Sequence, residues 1–147
     1  YVINKKWVGK DASLFLKEIG VSSDAKLIVC EAPFEHPFVQ EELMMPILPV
    51  VRVKDFDEAV EKAVAAENGR RHSAHIHSKN VDHLTRFARE VETTIFVKNA
   101  PSYAGIGAGG EGYTTFTIAG PTGEGLTCAR SFTRQRRCVM VDGFSII

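Results

Sequence analysis

Hydrophobic positions along this chain recur with two periods, and the places where the period changes divide it into elements. Between Asp11 and Gly20, Ala12, Phe15, Leu16 and Ile19 fall on one helical face, with Asp11 placed to cap the start and Gly20 to end the last turn. Lys26–Cys30 is a continuous apolar run of strand length. Pro33 and Pro37 forbid its continuation, and a second run, Ile47–Val53, follows Pro46. Pro49 inside that run assigns it to a sheet edge, a bulge or a late start. The clearest helix comes next. Asp55 and Glu58 have capping-box spacing, Phe56, Ala59, Val60, Ala63 and Val64 form a buried stripe, and Asn68-Gly69 stops it. Ser73–His77 reads as a strand, Asn80 caps a helix whose Val81, Leu84, Phe87, Ala88 and Val91 share a face, and Thr93–Val97 reads as a further strand. Strands alternating with helices predict an α/β layer structure with a mostly parallel sheet.

After Asn99 the pattern changes. Ala104–Gly112 holds too many glycines for an efficient helix or an ordinary strand, because each adds backbone entropy and removes packing atoms. Tyr113–Ile118 has β-forming composition, a second glycine-rich turn covers Gly120–Gly125, and Arg137–Val141 reads as a last strand. Residues 1–112 are therefore expected to form the layered part, and 113–147 a set of C-terminal β segments. Such a tail suits material that packs on a larger protein or on a neighbouring subunit.

Charge narrows the function classes. Eighteen basic and eighteen acidic residues among 147 cancel, which removes the field of a dedicated nucleic-acid binder or basic membrane-surface module. No apolar run approaches the roughly 20 residues of a membrane span, and Tyr1–Lys10 does not have the form of a signal peptide. Cys30, Cys128 and Cys138 are odd in number and make no Cys-x-x-Cys pair, which suits a reducing, cytoplasmic setting.

Several side chains carry candidate chemistry. Glu41 and Glu42 precede an apolar extended segment in which neighbours point to opposite faces, so one can enter a site while the other meets solvent. Glu42 is thereby a candidate ligand for sugar hydroxyls, with a plain strand-entrance role as the competing reading. The glycine stretches allow close backbone approach to a ligand, yet neither has dinucleotide-fingerprint or P-loop spacing, and special turns explain them equally well. His75 and His77 share a strand face without an accompanying cysteine or carboxylate, so no metal is expected, and His72 is read as a hydrogen-bonding residue. Arg130, Arg134, Arg136 and Arg137 can clamp a phosphate or carboxylate, or can form a solvated or intersubunit face. None of the three thiols has a base assigned to it by the sequence.

Taken in order, Glu41–Val50, Asn68–Ala74, Thr94–Asn99, Gly107–Gly112 and Pro121–Gly125 resemble the C-terminal part of CoA-acylating aldehyde dehydrogenases. The nearest likeness is to the propionaldehyde and acetaldehyde dehydrogenases of propanediol and ethanolamine utilisation, over essentially the whole chain. The resemblance implies a three-layer, mostly parallel catalytic domain with a C-terminal β arm that packs in an oligomer, either dimer or tetramer. It implies NAD as cofactor, coenzyme A as co-substrate and a short-chain aldehyde as substrate. Glu42 matches the glutamate that contacts the nicotinamide ribose, Met44 stands beside the nicotinamide where hydrolytic members carry phenylalanine, and Pro46 belongs to the same turn. His72 lies in the acylating branch's His-Ser/Thr-Ala stretch, and Gly107, Gly109 and Gly110 lie in the glycine-containing segment near the aldehyde pocket.

By the same resemblance the nucleophilic cysteine and the main nucleotide-binding domain belong upstream of Tyr1, none of the three cysteines inherits the catalytic role, and this chain alone is expected to be inactive. Placement inside a bacterial microcompartment accompanies the family likeness. A freestanding non-catalytic α/β interaction module, or an acyl- or phosphate-binding one, is the alternative.

Overall fold

A computed structural model describes residues 2–110, 120, 127–139 and 141. The chain divides into two compact units, Tyr1–Gly69 and Arg70–Ile147.

The first unit opens with a turn over residues 5–9, then helix α1, Ala12–Glu18. Asp11 holds the N-cap position with extended backbone, but its side chain makes no capping bond. Ala12 is buried and Phe15 and Leu16 are half-buried, whereas Ile19 lies beyond the helix and is exposed, so the predicted stripe is one turn shorter than expected. Strand β1, Ile28–Glu31, pairs in parallel with β2, Ile47–Val50, with Cys30 opposite Pro49. The backbone N–H of Ile28 donates to the Pro46 carbonyl, and that of Ala32 donates to the Val50 carbonyl. Even-numbered residues of β2 therefore face β1, and the missing N–H of Pro49 falls on the outer edge, where no rung is lost.

Between the strands sits helix α2, Pro37–Gln40, which the sequence reading missed. Pro37 does end the extended run, but it also starts a turn, because its fixed φ suits the first helical position. His36 caps it: Nδ1 accepts the Phe38 N–H at 3.1 Å. Helix α3, Phe56–Glu67, follows the sequence signals closely. Asp55 accepts the Glu58 N–H at 2.9 Å, and the Glu58 carboxylate accepts the Lys54 N–H at 2.8 Å. Asn68 and Gly69, both left-handed, close it.

The second unit repeats the parallel pattern. Strand β3, Ser73–Ile76, pairs with β4, Ile95–Lys98, and helix α4, Val81–Val91, connects them. Asn80 caps α4 by accepting the N–H groups of Asp82 and His83. Leu84, Phe87 and Val91 are buried, but Val81, in the first turn, is exposed. Phe87 meets Phe96 with ring centroids 5.8 Å apart, which places α4 on one face of β4. Ile95 and Val97 point to the other face. There a 3-10 turn, Ser102–Ile106, packs so closely that a Cβ built on Gly105 would lie 2.5 Å from Ile95 Cγ2 and 3.0 Å from Val97 Cγ2. Helix, sheet and turn thus stack as three thin layers.

The loops after β3 and β4 are tied by one side chain. Asn99, left-handed, takes the Ser78 N–H on Oδ1 at 2.8 Å and donates Nδ2 to the Ser78 carbonyl at 2.8 Å. Beyond the glycine loop, the Thr94 hydroxyl donates to the Gly120 carbonyl, and Ala129–Phe132 forms a second 3-10 turn. The β segment expected at Tyr113–Ile118 and most of the Gly120–Gly125 turn lie outside the described residues. The last strand was expected at Arg137–Val141, and the residues described there, 137–139 and 141, carry none. A β conformation needs a partner ladder for its backbone groups, and no described strand supplies one to this arginine-rich segment.

Gly105 offers a clean test of the packing on β4. Gly105→Ala should cost about 1–3 kcal/mol through overpacking against Ile95 and Val97. Gly69→Ala, which meets open space but keeps a left-handed backbone, should cost only about 1 kcal/mol. Denaturant unfolding of both variants measures the difference, and equal losses would remove the close-packing role of Gly105.

Candidate functional site

The segment from Glu41 to Pro46 is the wall between two hollows in the first unit. Glu41 ends α2 with its backbone extended, and its N–H donates to the Pro37 carbonyl. Glu41, Leu43 and Met45 then border an apolar cavity of about 310 Å³, whose other side carries Trp7 and Phe15, ring centroids 4.8 Å apart. Met44, Met45 and Pro46 border a more polar crevice of about 620 Å³, opposite Gly9, Lys10 and Ser13. Glu42 lines neither. It is exposed, and its carboxylate takes no hydrogen bond or ion pair from the described residues. Glu41 borders the apolar cavity, whereas Glu42, the candidate ligand of the pair, borders neither hollow.

Met44 is the unusual residue of this wall. Its φ is 52°, a conformation that costs a β-carbon residue energy, and its side chain is 67% exposed. Three hydrogen bonds hold the backbone there. The Met44 carbonyl accepts the Gly9 N–H at 3.0 Å, the Met45 carbonyl accepts the Ile47 N–H at 2.8 Å, and the Pro46 carbonyl accepts the Ile28 N–H at 2.9 Å. Every carbonyl from Met44 to Pro46 is therefore engaged, while the Met44 side chain is left free to meet a ligand.

In the second unit His72 immediately precedes β3 and is exposed. Its carbonyl accepts the Ile95 N–H at 3.1 Å, and the preceding Arg71 carbonyl accepts the Thr94 N–H at 3.1 Å. Arg71 and Glu92, both left-handed, are joined by an ion pair of 2.6 Å. This clasp fixes the approach to His72. The glycine loop returns to the same end of β4: Gly105 lies on the side chain of Ile95, the residue bonded to His72. Gly107 and Gly109 have φ of 88° and 74°, and a Cβ on Gly110 would meet the Ala104 carbonyl oxygen at 2.5 Å. His72 and Gly105 thus share Ile95 as a neighbour, while Gly107, Gly109 and Gly110 are fixed by their own backbone geometry rather than by contact with His72.

The remaining candidates stand apart. No group of three or more histidine, cysteine or carboxylate residues with metal-site geometry occurs among the described residues. Partial burial, and then the neighbouring His77, lowers the pKa of His75. Cys30 is half-buried in β1. Cys128 caps the second 3-10 turn, its N–H donating to Ser131 Oγ at 3.1 Å and its Sγ 3.8 Å from the same oxygen. The Ser131 side chain, then the backbone N–H groups of Ser131 and Arg130, hold this thiol below its ordinary pKa. Sequence reasoning missed two elements that serve the site: the turn carrying Gly9, and the Asn99 clip. A lone glycine ahead of the Asp11 cap was the only signal of the first, and the second arises from a contact 21 positions apart in the chain.

Comparison with known proteins is consistent over the whole chain. The aldehyde dehydrogenase family profile matches residues 26–122. The CoA-propanoylating propanal dehydrogenase of Salmonella typhimurium is 54% identical over 97% of this chain, which covers 32% of that protein. Propionaldehyde dehydrogenase of Rhodopseudomonas palustris, solved with bound propionyl-CoA, is 62% identical, with a TM-score of 0.84 over 93% of this chain and 31% of that one. The propionaldehyde dehydrogenase of the Clostridium phytofermentans fucose utilisation bacterial microcompartment is 60% identical, with a TM-score of 0.82 over 93% of this chain and 32% of that one. The chain spans about a third of the length of the curated relatives it matches.

The depressed Cys128 pKa gives a direct prediction. More thiolate at neutral pH means that iodoacetamide should modify Cys128 ahead of Cys30, and Ser131→Ala should move the midpoint of its rate–pH curve upward. Peptide mass spectrometry across about pH 6 to 10 follows both rates. Superimposable curves for the native and Ser131→Ala chains would remove Ser131 from the account.

Proposed function

This chain belongs to the aldehyde dehydrogenase family, among its CoA-acylating members, and from that premise we propose that it is the C-terminal portion of an enzyme converting a short-chain aldehyde, NAD and CoA to acyl-CoA and NADH. The observation that carries this reading is the continuous likeness, at about 60% identity and in one fold, to propionaldehyde dehydrogenases, one of them holding propionyl-CoA. The nucleophilic cysteine belongs to a part of the enzyme outside these 147 residues, and Cys30, Cys128 and Cys138 do not serve as it.

The first unit supplies the nicotinamide wall. An exposed carboxylate with no partner among the described residues suits a sugar diol, since each of its oxygens accepts from a hydroxyl. Glu42 binds the nicotinamide ribose in this way. Met44 lies against the nicotinamide ring, its thioether offering a polarisable apolar surface, and Pro46 stiffens the turn beneath it. NAD held there would supply the acceptor for the hydride that leaves the substrate carbon. In the second unit His72 and the Gly107–Gly110 loop line the aldehyde pocket, where the absence of side chains lets a small substrate approach the backbone. Residues 1–112 belong to the catalytic domain, and 113–147 form an arm that packs in a homo-oligomer. The likeness to a dehydrogenase from a bacterial microcompartment supports such a location for this enzyme too. No helix among the described residues is long and apolar enough to cross a membrane.

The isolated 147-residue chain should release no NADH from aldehyde, NAD and CoA, whereas the full-length enzyme should. Turnover by the chain itself, with full-length contamination excluded by mass, would overturn the reading. In the full-length enzyme Glu42→Gln should lower kcat/KM roughly 5- to 150-fold, as expected for one charged hydrogen-bond acceptor. Glu41→Gln, which touches the apolar cavity instead, should do less. Equal losses in steady-state kinetics would withdraw the ribose role from Glu42.

A further inference from the structure

Among the described residues, the turn before α1 makes one backbone hydrogen bond to the candidate cofactor wall, and it makes it at the wall's strained residue. The Gly9 N–H donates to the Met44 carbonyl at 3.0 Å. Both residues are left-handed, with φ of 70° at Gly9 and 52° at Met44. A left-handed residue that carries a side chain persists only where its surroundings overdetermine it. Neither of the other two carbonyl contacts reaches Met44: Ile47 holds Met45 from within the same segment, and Ile28 holds Pro46 from β1.

The turn is stiff enough to act as a support. Asn4 begins it, with its carbonyl accepting the Trp7 N–H at 2.9 Å and its Oδ1 accepting the Lys6 N–H at 3.1 Å. The Lys10 N–H returns to the Trp7 carbonyl at 3.2 Å, and the Trp7 ring packs against Phe15 of α1 at a tilt of 38°. The Gly9 N–H is thus fixed from both sides, by the turn and by a ring anchored on the helix.

We propose that Gly9 is a positioning residue for the nicotinamide site: its left-handed backbone aims the N–H that holds Met44 in the conformation presenting its side chain to the cofactor. This rests on the assignment of Met44 to the nicotinamide wall. It assigns the residues before α1 a share in cofactor binding through the backbone, without direct contact with NAD.

Space around Gly9 makes the idea separable from packing. A Cβ built there meets nothing within 4 Å among the described residues, so the first cost of a substitution is its backbone preference. Asn adopts the left-handed region readily, Ala resists it and Val resists it most. In the full-length enzyme, KM for NAD should therefore rise in the order Gly9→Asn, Gly9→Ala, Gly9→Val. Asn should stay within about twofold of native and Val should rise about three- to tenfold, with kcat changing less. The 13C-methyl resonance of Met44 should move in the same order. If Gly9→Val does not fold, Ala and Asn still rank against each other.

Equal KM values for Asn and Ala, or an unmoved Met44 methyl in Ala, would overturn the proposal. Met44→Ala separates it from the reading beneath it. An unchanged KM for NAD in Met44→Ala, together with a shifted methyl in Gly9→Ala, would leave Gly9 as the support of Met44 but remove Met44 from the nicotinamide site.

Discussion

Each unit hangs on a parallel pair of four-residue strands, and a parallel pair cannot close on a short turn. Its strands run the same way, so the chain must travel back along the sheet before the second can begin. In the first unit that return is made by α2 and the Glu41–Pro46 wall, and in the second by α4. The candidate site residues belong to these returns and to the loops at the strand ends. Their positions follow from where the ladders start and stop: the Ile28 N–H fixes Pro46, and the Ile95 N–H fixes His72, each at the first rung of its pair.

What the ladders leave unsettled, left-handed residues settle. Met44, Asn68, Arg71, Glu92 and Asn99 are the five non-glycine residues of positive φ among those described, and each stands within three residues of an element's end. Asn68 and Glu92 close α3 and α4. Arg71 and Glu92 form the clasp ahead of β3, and Asn99 ties two loops. A chain that must reverse within a few residues without glycine accepts local strain and recovers it in hydrogen bonds or ion pairs that would not form otherwise.

The regular elements were legible because their signals are local. Capping at Asp55 and Asn80, the 3.6-residue stripes of α3 and α4, and the apolar runs of the strands all act within a few positions. Boundaries shifted by one to three residues where the ladder partner, rather than composition, decides the end, as at β1, β2 and β4. Helix α2 was hidden because four residues carry no period, and its cap is a histidine nitrogen rather than the usual short oxygen side chain. The candidate site residues could be named from the sequence, but their arrangement could not. Glu42, Met44 and His72 came from an ordered family likeness, whereas the left-handed backbone of Met44, its bond to Gly9 and the return of the glycine loop to Ile95 depend on distant contacts that no local pattern encodes.

Pro49 and its neighbour have a consequence for how the first sheet can be completed. Along the outer edge of β2 the Ile47 N–H is folded back onto the Met45 carbonyl, and Pro49 has no N–H to give. The outer edge of β1 differs, since the N–H groups of Val29 and Glu31 alternate away from β2. A strand arriving at β2 would find carbonyls without donors, whereas one arriving at β1 would find both. Growth of this sheet is therefore polarised. A second copy meeting it edge to edge through β2 would gain little, because the same proline that interrupts the apolar run leaves that edge poor in donors.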